Sequence, residues 1–213
     1  MPNPDVFLKA NLGLFGYQSK QELIEQVFLQ SLIDSYSRIV HTVAIENDIR
    51  DRFVKDIYNT PSRLKDWLQQ SLMYLDWENW KFTAGFTLAR ADVSFKLTGC
   101  EFIIECKRLK SADKAYIDEG LDRFRALHYS KGHEFAGMIG FIINAKGNTI
   151  LSGIKSNVSA HHSLATPFSS ASFAGWTNSF QSTHERTDKT PINIYHLFFE
   201  FNDITEDPAI ASN

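Results

Sequence analysis

Asp92, Glu105 and Lys107 are the residues whose types and spacing point to chemistry. Two acids and a base gathered in one place would hold a divalent cation and a water beside a phosphate. They fall within Arg90-Ala91-Asp92-Val93-Ser94-Phe95-Lys96-Leu97-Thr98-Gly99-Cys100-Glu101-Phe102-Ile103-Ile104-Glu105-Cys106-Lys107. That run predicts two strands joined by a tight turn. Side chains alternate across a strand, so Glu105 and Lys107 share one face while Ile104 and Cys106 point to the other. The first strand alternates too, with Val93, Phe95 and Leu97 apolar and Asp92, Ser94 and Lys96 polar. Thr98-Gly99 serves as the turn, since Gly supplies the positive φ a short hairpin needs. Leu97 is then opposite Cys100, Lys96 opposite Glu101, Asp92 opposite Glu105 and Arg90 opposite Lys107.

Opposed carboxylates on a hairpin have Cβ atoms roughly 5 Å apart and repel one another. A hard cation, Mg²⁺ or Mn²⁺, is the natural compensation. Arg90 beside Lys107 is a second like-charge pair and points to an anion visiting that end. The plainer alternative is a solvated hairpin face with its charges spread over a surface.

Asp92 on one strand and Glu105-Cys106-Lys107 on the next resemble the PD-(D/E)XK nuclease superfamily, with Ala91 standing where that name has a proline. The resemblance spans about residues 40 to 145, counting the order of elements as well as the motif. It implies a restriction-endonuclease-like α/β fold with an α-βββ-α-β core. It implies Mg²⁺- or Mn²⁺-dependent hydrolysis of phosphodiester bonds without saying which nucleic acid is cut. The expectation is an endonuclease acting on DNA ahead of RNA, in a restriction or anti-phage role, with DNA repair as the alternative. Two copies paired as a homodimer would suit such an enzyme. In this reading Asp92, Glu105 and the backbone carbonyl of Cys106 hold the metal, and Lys107 positions a water or steadies the developing charge. A Glu from the first core helix often adds a ligand in that superfamily, and Glu46 stands in that position. Its other reading is a helix-start acid favoured by the macrodipole. Replacing Asp92, Glu105 or Lys107 by Ala is expected to abolish metal-dependent cleavage with folding intact.

The elements that must position these residues follow from periodicity. Ser19-Lys20-Gln21-Glu22 is a capping box, and Ile24, Phe28, Leu32 and Tyr36 carry a helix over 20–39. A second helix runs from Asn47 to Tyr58 and stops before Pro61. A third starts at Ser62 and buries Leu64, Trp67, Leu68, Leu72 and Leu75. Residues 79–87 form a first strand ahead of the hairpin. A helix follows over 112–130, then a buried strand from Ala136 to Asn144. The stretch 145–190 is polar, with a short helix near Ile150 to Ala160. Pro191 to Phe201 is the last strand. The expectation is one domain over residues 1–213, its mixed central sheet flanked by helices, with extra N-terminal helices.

Arg123, on the helix after the hairpin, reads either as a phosphate contact or as a surface Arg beside core Phe124, and Tyr129 and Lys131, in the turn before the next strand, are placed to approach the same region. Ser182, His184 and Arg186 alternate, so on an extended segment they face one way. They form either a phosphate-binding edge with a general acid, or ordinary loop polarity. His196 reads as a satisfied, half-buried histidine.

Composition bounds the rest. The chain's 213 residues are 43% hydrophobic and 13% aromatic, which describes a folded protein with a substantial core. A net charge of −3 argues against a general nucleic-acid coat and requires any phosphate binding to be local. Two cysteines do not make a disulfide framework. No apolar run is long enough for a membrane span, and Met1-Pro2-Asn3-Pro4-Asp5 is unlike a signal peptide, so a cytoplasmic protein is expected. The competing function is a catalytically inactive nuclease-fold module that binds nucleic acid or a protein partner. A third, unrelated chemistry follows if Asp92 and Glu105 lie on opposite faces.

Overall fold

The computed structural model describes residues 4–43, 45–82, 88–143, 146–166 and 172–203. Its first helix, α1 (Pro4–Phe15), places Leu8, Leu12 and Phe15 on one buried side. Gly16 ends it with φ +83°, and Tyr17 N–H donates to the Leu12 carbonyl at 2.9 Å. That is a Schellman closure, which favours a residue without Cβ at the left-handed position. Next, α2 runs unbroken through Lys20–Leu23, Ile24–Leu29 and Gln30–Tyr36, its middle part wound as a π-helix. The Ser19 half of the capping box forms, with Ser19 Oγ accepting from Glu22 N–H at 3.1 Å, while Glu22 Oε2 accepts from Gln18 N–H at 2.7 Å, one residue before the cap.

After α3 (Glu46–Asn59), Ser62 caps α4 (Arg63–Gln69) by accepting from Lys65 N–H at 3.1 Å. The third helix was expected to reach Leu75. It stops six residues earlier because Ser71 takes φ +56° and a two-residue period takes over, with Met73 and Leu75 buried and Tyr74 exposed. Leu72, expected in the core, is 46% exposed.

The strands are β1 (Thr42–Val43), β2 (Tyr74–Phe82), β3 (Leu88–Leu97), β4 (Cys100–Leu109), β5 (Phe135–Ile143), β6 (Ser179–Glu185) and β7 (Pro191–Asp203). Residues 83–87 of the expected first strand, and Asn144 of the expected buried strand, lie outside the described residues. β2, β3 and β4 form an antiparallel meander. Helix α5, a π-helical Ile117–Leu121 continuing as Asp122–Arg125, then carries the chain across to β5, parallel to β4. Helix α6 (Gly147–Ser159) follows. The sheet order is β1-β7-β5-β4-β3-β2, and β6 pairs antiparallel with β7. The protein is thus α/β, a mixed sheet between two helical layers. Among the described residues no helix is long and apolar enough to cross a membrane.

Alternation on the strands sorts the core into two layers. Phe95, Phe102, Ile104, Cys106 and Phe141 pack with Phe28 and Phe53 under α1–α4. Ile103, Met138, Ile142 and Phe198 pack with Tyr116, Phe124 and Ile154 under α5 and α6. Gly120 sets how closely α5 approaches. A Cβ there would come within 2.4 Å of Met138 Cε and 3.7 Å of Lys107 Cε.

β6, expected as polar loop, is tied to β7 and α5 by a buried polar chain. Ser163 Oγ lies 2.8 Å from His161 Nδ1 and 2.9 Å from His184 Nδ1. Ser182 Oγ bridges His184 Nε2 at 2.9 Å and His196 Nε2 at 2.8 Å, and His196 Nδ1 meets Tyr116 Oη at 2.9 Å. Burial, with His161 nearby, holds His184 down to about 4, and burial pushes His196 well below the usual histidine range. The unfolded chain therefore takes up a proton near pH 6.5 that folded His184 refuses until about pH 4. Stability is complete above that window and is lost as pH falls through it, by on the order of 3 kcal/mol from His184. Urea denaturation between pH 4 and 7 should show this slope, and His184→Gln should reduce it, leaving the part that His196 contributes.

Candidate active site

The hairpin holds the expected register from Leu97 opposite Cys100 to Val93 opposite Ile104, with Gly99 at φ +85° in the turn. There the β3–β4 ladder stops. Backbone pairing of Asp92 with Glu105 and of Arg90 with Lys107 does not form, although on the other edge of β3 the ladder to β2 continues through Arg90 opposite Trp80. The cause is visible at the next two amides of β4 that face β3. Cys106 N–H donates to Asp92 Oδ2 at 2.8 Å, and Arg108 N–H donates to Glu46 Oε2 at 2.5 Å. Two carboxylates have replaced strand carbonyls as acceptors, and the strands part around them. In an extended strand the N–H and C=O of one residue point to the same side. The Cys106 carbonyl therefore opens into the same gap.

Asp92, Glu105, Lys107 and Glu46 all line one cleft of about 430 Å³, together with Arg90 and Arg123. Glu46 is the first residue of α3, so both readings of it meet here. It is a helix-start acid, and it is also the helix's contribution to the cleft. Asp92 Oδ1 lies 3.9 Å from Nη1 of Arg50, whose side chain is 4% exposed. Arg50 also bonds Glu78, which Arg90 reaches at 3.3 Å. Glu105 is 1% exposed. Its Oε1 accepts from Lys107 Nζ at 2.9 Å and Arg123 Nη1 at 2.6 Å, and its Oε2 accepts from Tyr129 Oη at 2.8 Å. Burial and then the Asp92 charge push the Glu105 carboxyl above its usual range, against the pull of Lys107 and Arg123. Glu46 is pushed up as well, by burial first, with Asp92 adding to the rise and the Arg108 amide opposing it.

Arg123 thus reaches the site directly, while neighbouring Phe124 is fully buried. His184 and Arg186 do not line this cleft. His184 is 0% exposed within the polar chain, and Arg186 is buried with its Nη2 donating to the carbonyls of Ser130, at 2.9 Å, and His133. They face inward together, as alternation requires, and hold the fold. Tyr129, whose place in the chain allowed it to approach the site, lines the cleft, nearby Lys131 does not, and His128 lines it without any sequence signal. Tyr129 lies in the turn before β5, and proximity in the chain was the only signal for it. Cys100 and Cys106 are both buried free thiols.

Among the described residues no three His, Cys, Asp or Glu side chains stand close enough together to hold an ion as they are placed. The donor set nevertheless fits a hard divalent cation. Three carboxylates and one backbone carbonyl offer oxygen only, and Glu46 and Glu105 are raised by burial and by the Asp92 charge, a repulsion that a cation would relieve. No family model, curated protein or solved structure matches the chain.

The backbone role of Asp92 changes what its removal should do. Asp92→Ala leaves the buried Cys106 amide without its acceptor, at a cost of about 1–3 kcal/mol. Asp92→Asn retains an acceptor oxygen. Urea denaturation should therefore find Asp92→Ala clearly less stable than Asp92→Asn, rather than leaving folding untouched.

Proposed function

We propose that this protein is a metal-dependent nuclease hydrolysing phosphodiester bonds, with DNA as the preferred substrate. One observation carries the reading. Glu46, Asp92, Glu105 and Lys107 converge on a single cleft where two strands of one hairpin separate. The order of elements supports it. Helix, three antiparallel strands, helix and a strand parallel to the third make an α-βββ-α-β core like that of the PD-(D/E)XK superfamily.

Asp92, Glu105 and the Cys106 carbonyl would hold Mg²⁺ or Mn²⁺, with Glu46 completing the set from α3. Bound there, the ion supplies Lewis acidity toward the phosphate and toward a water. Lys107, held at 2.9 Å from Glu105, would have its ammonium beside the attacking water and the growing negative charge. Arg90 and Arg123 supply planar donors for phosphate oxygens on the same cleft. The chain's net acidity is no obstacle, because these cations are local to the site.

An inactive module of the same fold, binding nucleic acid or a protein, is the second reading. The saturation of Glu105 by Lys107, Arg123 and Tyr129 favours it, since three donors already satisfy that carboxylate.

Incubation with plasmid, linear duplex, single-stranded DNA and RNA, with and without Mn²⁺, separates the two. Cleavage should require the ion. It should fall by about 100-fold or more in Asp92→Asn, Glu105→Gln and Lys107→Ala with circular dichroism unchanged. Wild-type protein that cuts none of these substrates sinks the enzymatic reading.

A further inference from the structure

We infer that Arg123 is a latch on Glu105 that a divalent cation opens, so that cation and phosphate bind the cleft with positive coupling. The inference rests on the metal-dependent reading above. Glu105 Oε1 already accepts two charged donors, Arg123 Nη1 at 2.6 Å and Lys107 Nζ at 2.9 Å. A carboxylate oxygen has two lone pairs, so this one is full. A cation drawn to Glu46, Asp92 and Glu105 must displace a donor from Oε1 or settle beside two like charges. Either way, one of those side chains has to withdraw.

Their surroundings decide which. Lys107 projects from a central strand two residues before its end, is 16% exposed, and has the end of its stem against Gly120 of α5. Arg123 lies on the short helical segment Asp122–Arg125 and is 36% exposed. Its long stem has room on the solvent side. It need not leave the cleft when it leaves Glu105, because Nη1 also donates to Tyr129 Oη at 3.1 Å. Tyr129 Oη in turn holds Glu105 Oε2. The phenol is a pivot that keeps the carboxylate oriented while the guanidinium swings. A guanidinium released in this way presents a planar fork suited to phosphate oxygens. Without the ion, Arg123 is spent on Glu105 and the cleft grips phosphate poorly. With it, the carboxylate's counterion becomes the substrate's. Linkage makes the effect mutual, so phosphate tightens the ion by the same factor.

The test uses the full chain and two probes, Mn²⁺ by calorimetry and a phosphorothioate octathymidylate by fluorescence anisotropy. In wild type, Mn²⁺ should raise oligonucleotide affinity by about tenfold or more. Arg123→Ala should bind Mn²⁺ alone more tightly, by about tenfold, because the competing cation is gone, and its Mn²⁺-induced gain in oligonucleotide affinity should shrink. Arg123→Lys, which keeps the charge but loses the fork, should restore wild-type Mn²⁺ affinity without the full gain. Thermal melts of both variants report folding. Arg123→Ala that takes up Mn²⁺ no more tightly than wild type overturns the latch and leaves the metal site standing. Wild type with no Mn²⁺ uptake that Glu105→Gln removes overturns the metal reading itself.

Discussion

The site depends on the early end of one strand ladder. At Val93 and Ile104 the β3–β4 pairing gives out, and carboxylates take over two amides that a longer hairpin would have satisfied with carbonyls. Buried amides cannot go unpaired, so the substitution is obligatory once the strands diverge. It also explains why two acids are tolerated inside the protein. Asp92 and Glu46 each take a backbone hydrogen bond, the interaction that best supports a buried charge. The same bonds aim their remaining lone pairs into the gap. The geometry of the cleft and the pairing of the backbone are here one arrangement.

Around that gap the layers supply what the hairpin lacks. α3 brings Glu46 and Arg50 from one side of the sheet, and α5 brings Arg123 from the other. Gly120 permits α5 to sit against Lys107, which limits that lysine to the neighbourhood of Glu105. Glu105 stands at the centre, with Lys107, Arg123 and Tyr129 on its two oxygens. The proposed chemistry and the proposed latch both come from this crowding.

Much of the hairpin was legible because its rules are local. A glycine at the turn and strict alternation fix register, and Leu97 to Val93 follow it residue for residue. The splay was not legible. A carboxylate replacing a strand carbonyl leaves no trace in periodicity, so continued pairing of Asp92 with Glu105 was the natural extrapolation. The third helix was read through Leu75 because Leu64, Leu68, Leu72 and Leu75 satisfy a helical spacing, and only the positive φ at Ser71 broke it. β6 was hidden for the opposite reason. Its inward residues include Ser182 and His184, which satisfy one another rather than advertising a core. Leu8, Leu12, Phe15 and Gly16 did carry the pattern of a helix and its stop, and that signal went unread.

Strand β7 has a further consequence. It pairs with β5, β6 and β1, so three strands lose a neighbour together if it is missing. The edge then bared on β5 is Met138-Ile139-Gly140-Phe141-Ile142-Ile143, an uncharged run without proline. Such an edge invites pairing with other chains. In a polypeptide still emerging from the ribosome, or one clipped before residue 191, the charged hairpin would already be encoded while this adhesive border lay open. The final strand is therefore protective cover against aggregation as well as part of the scaffold.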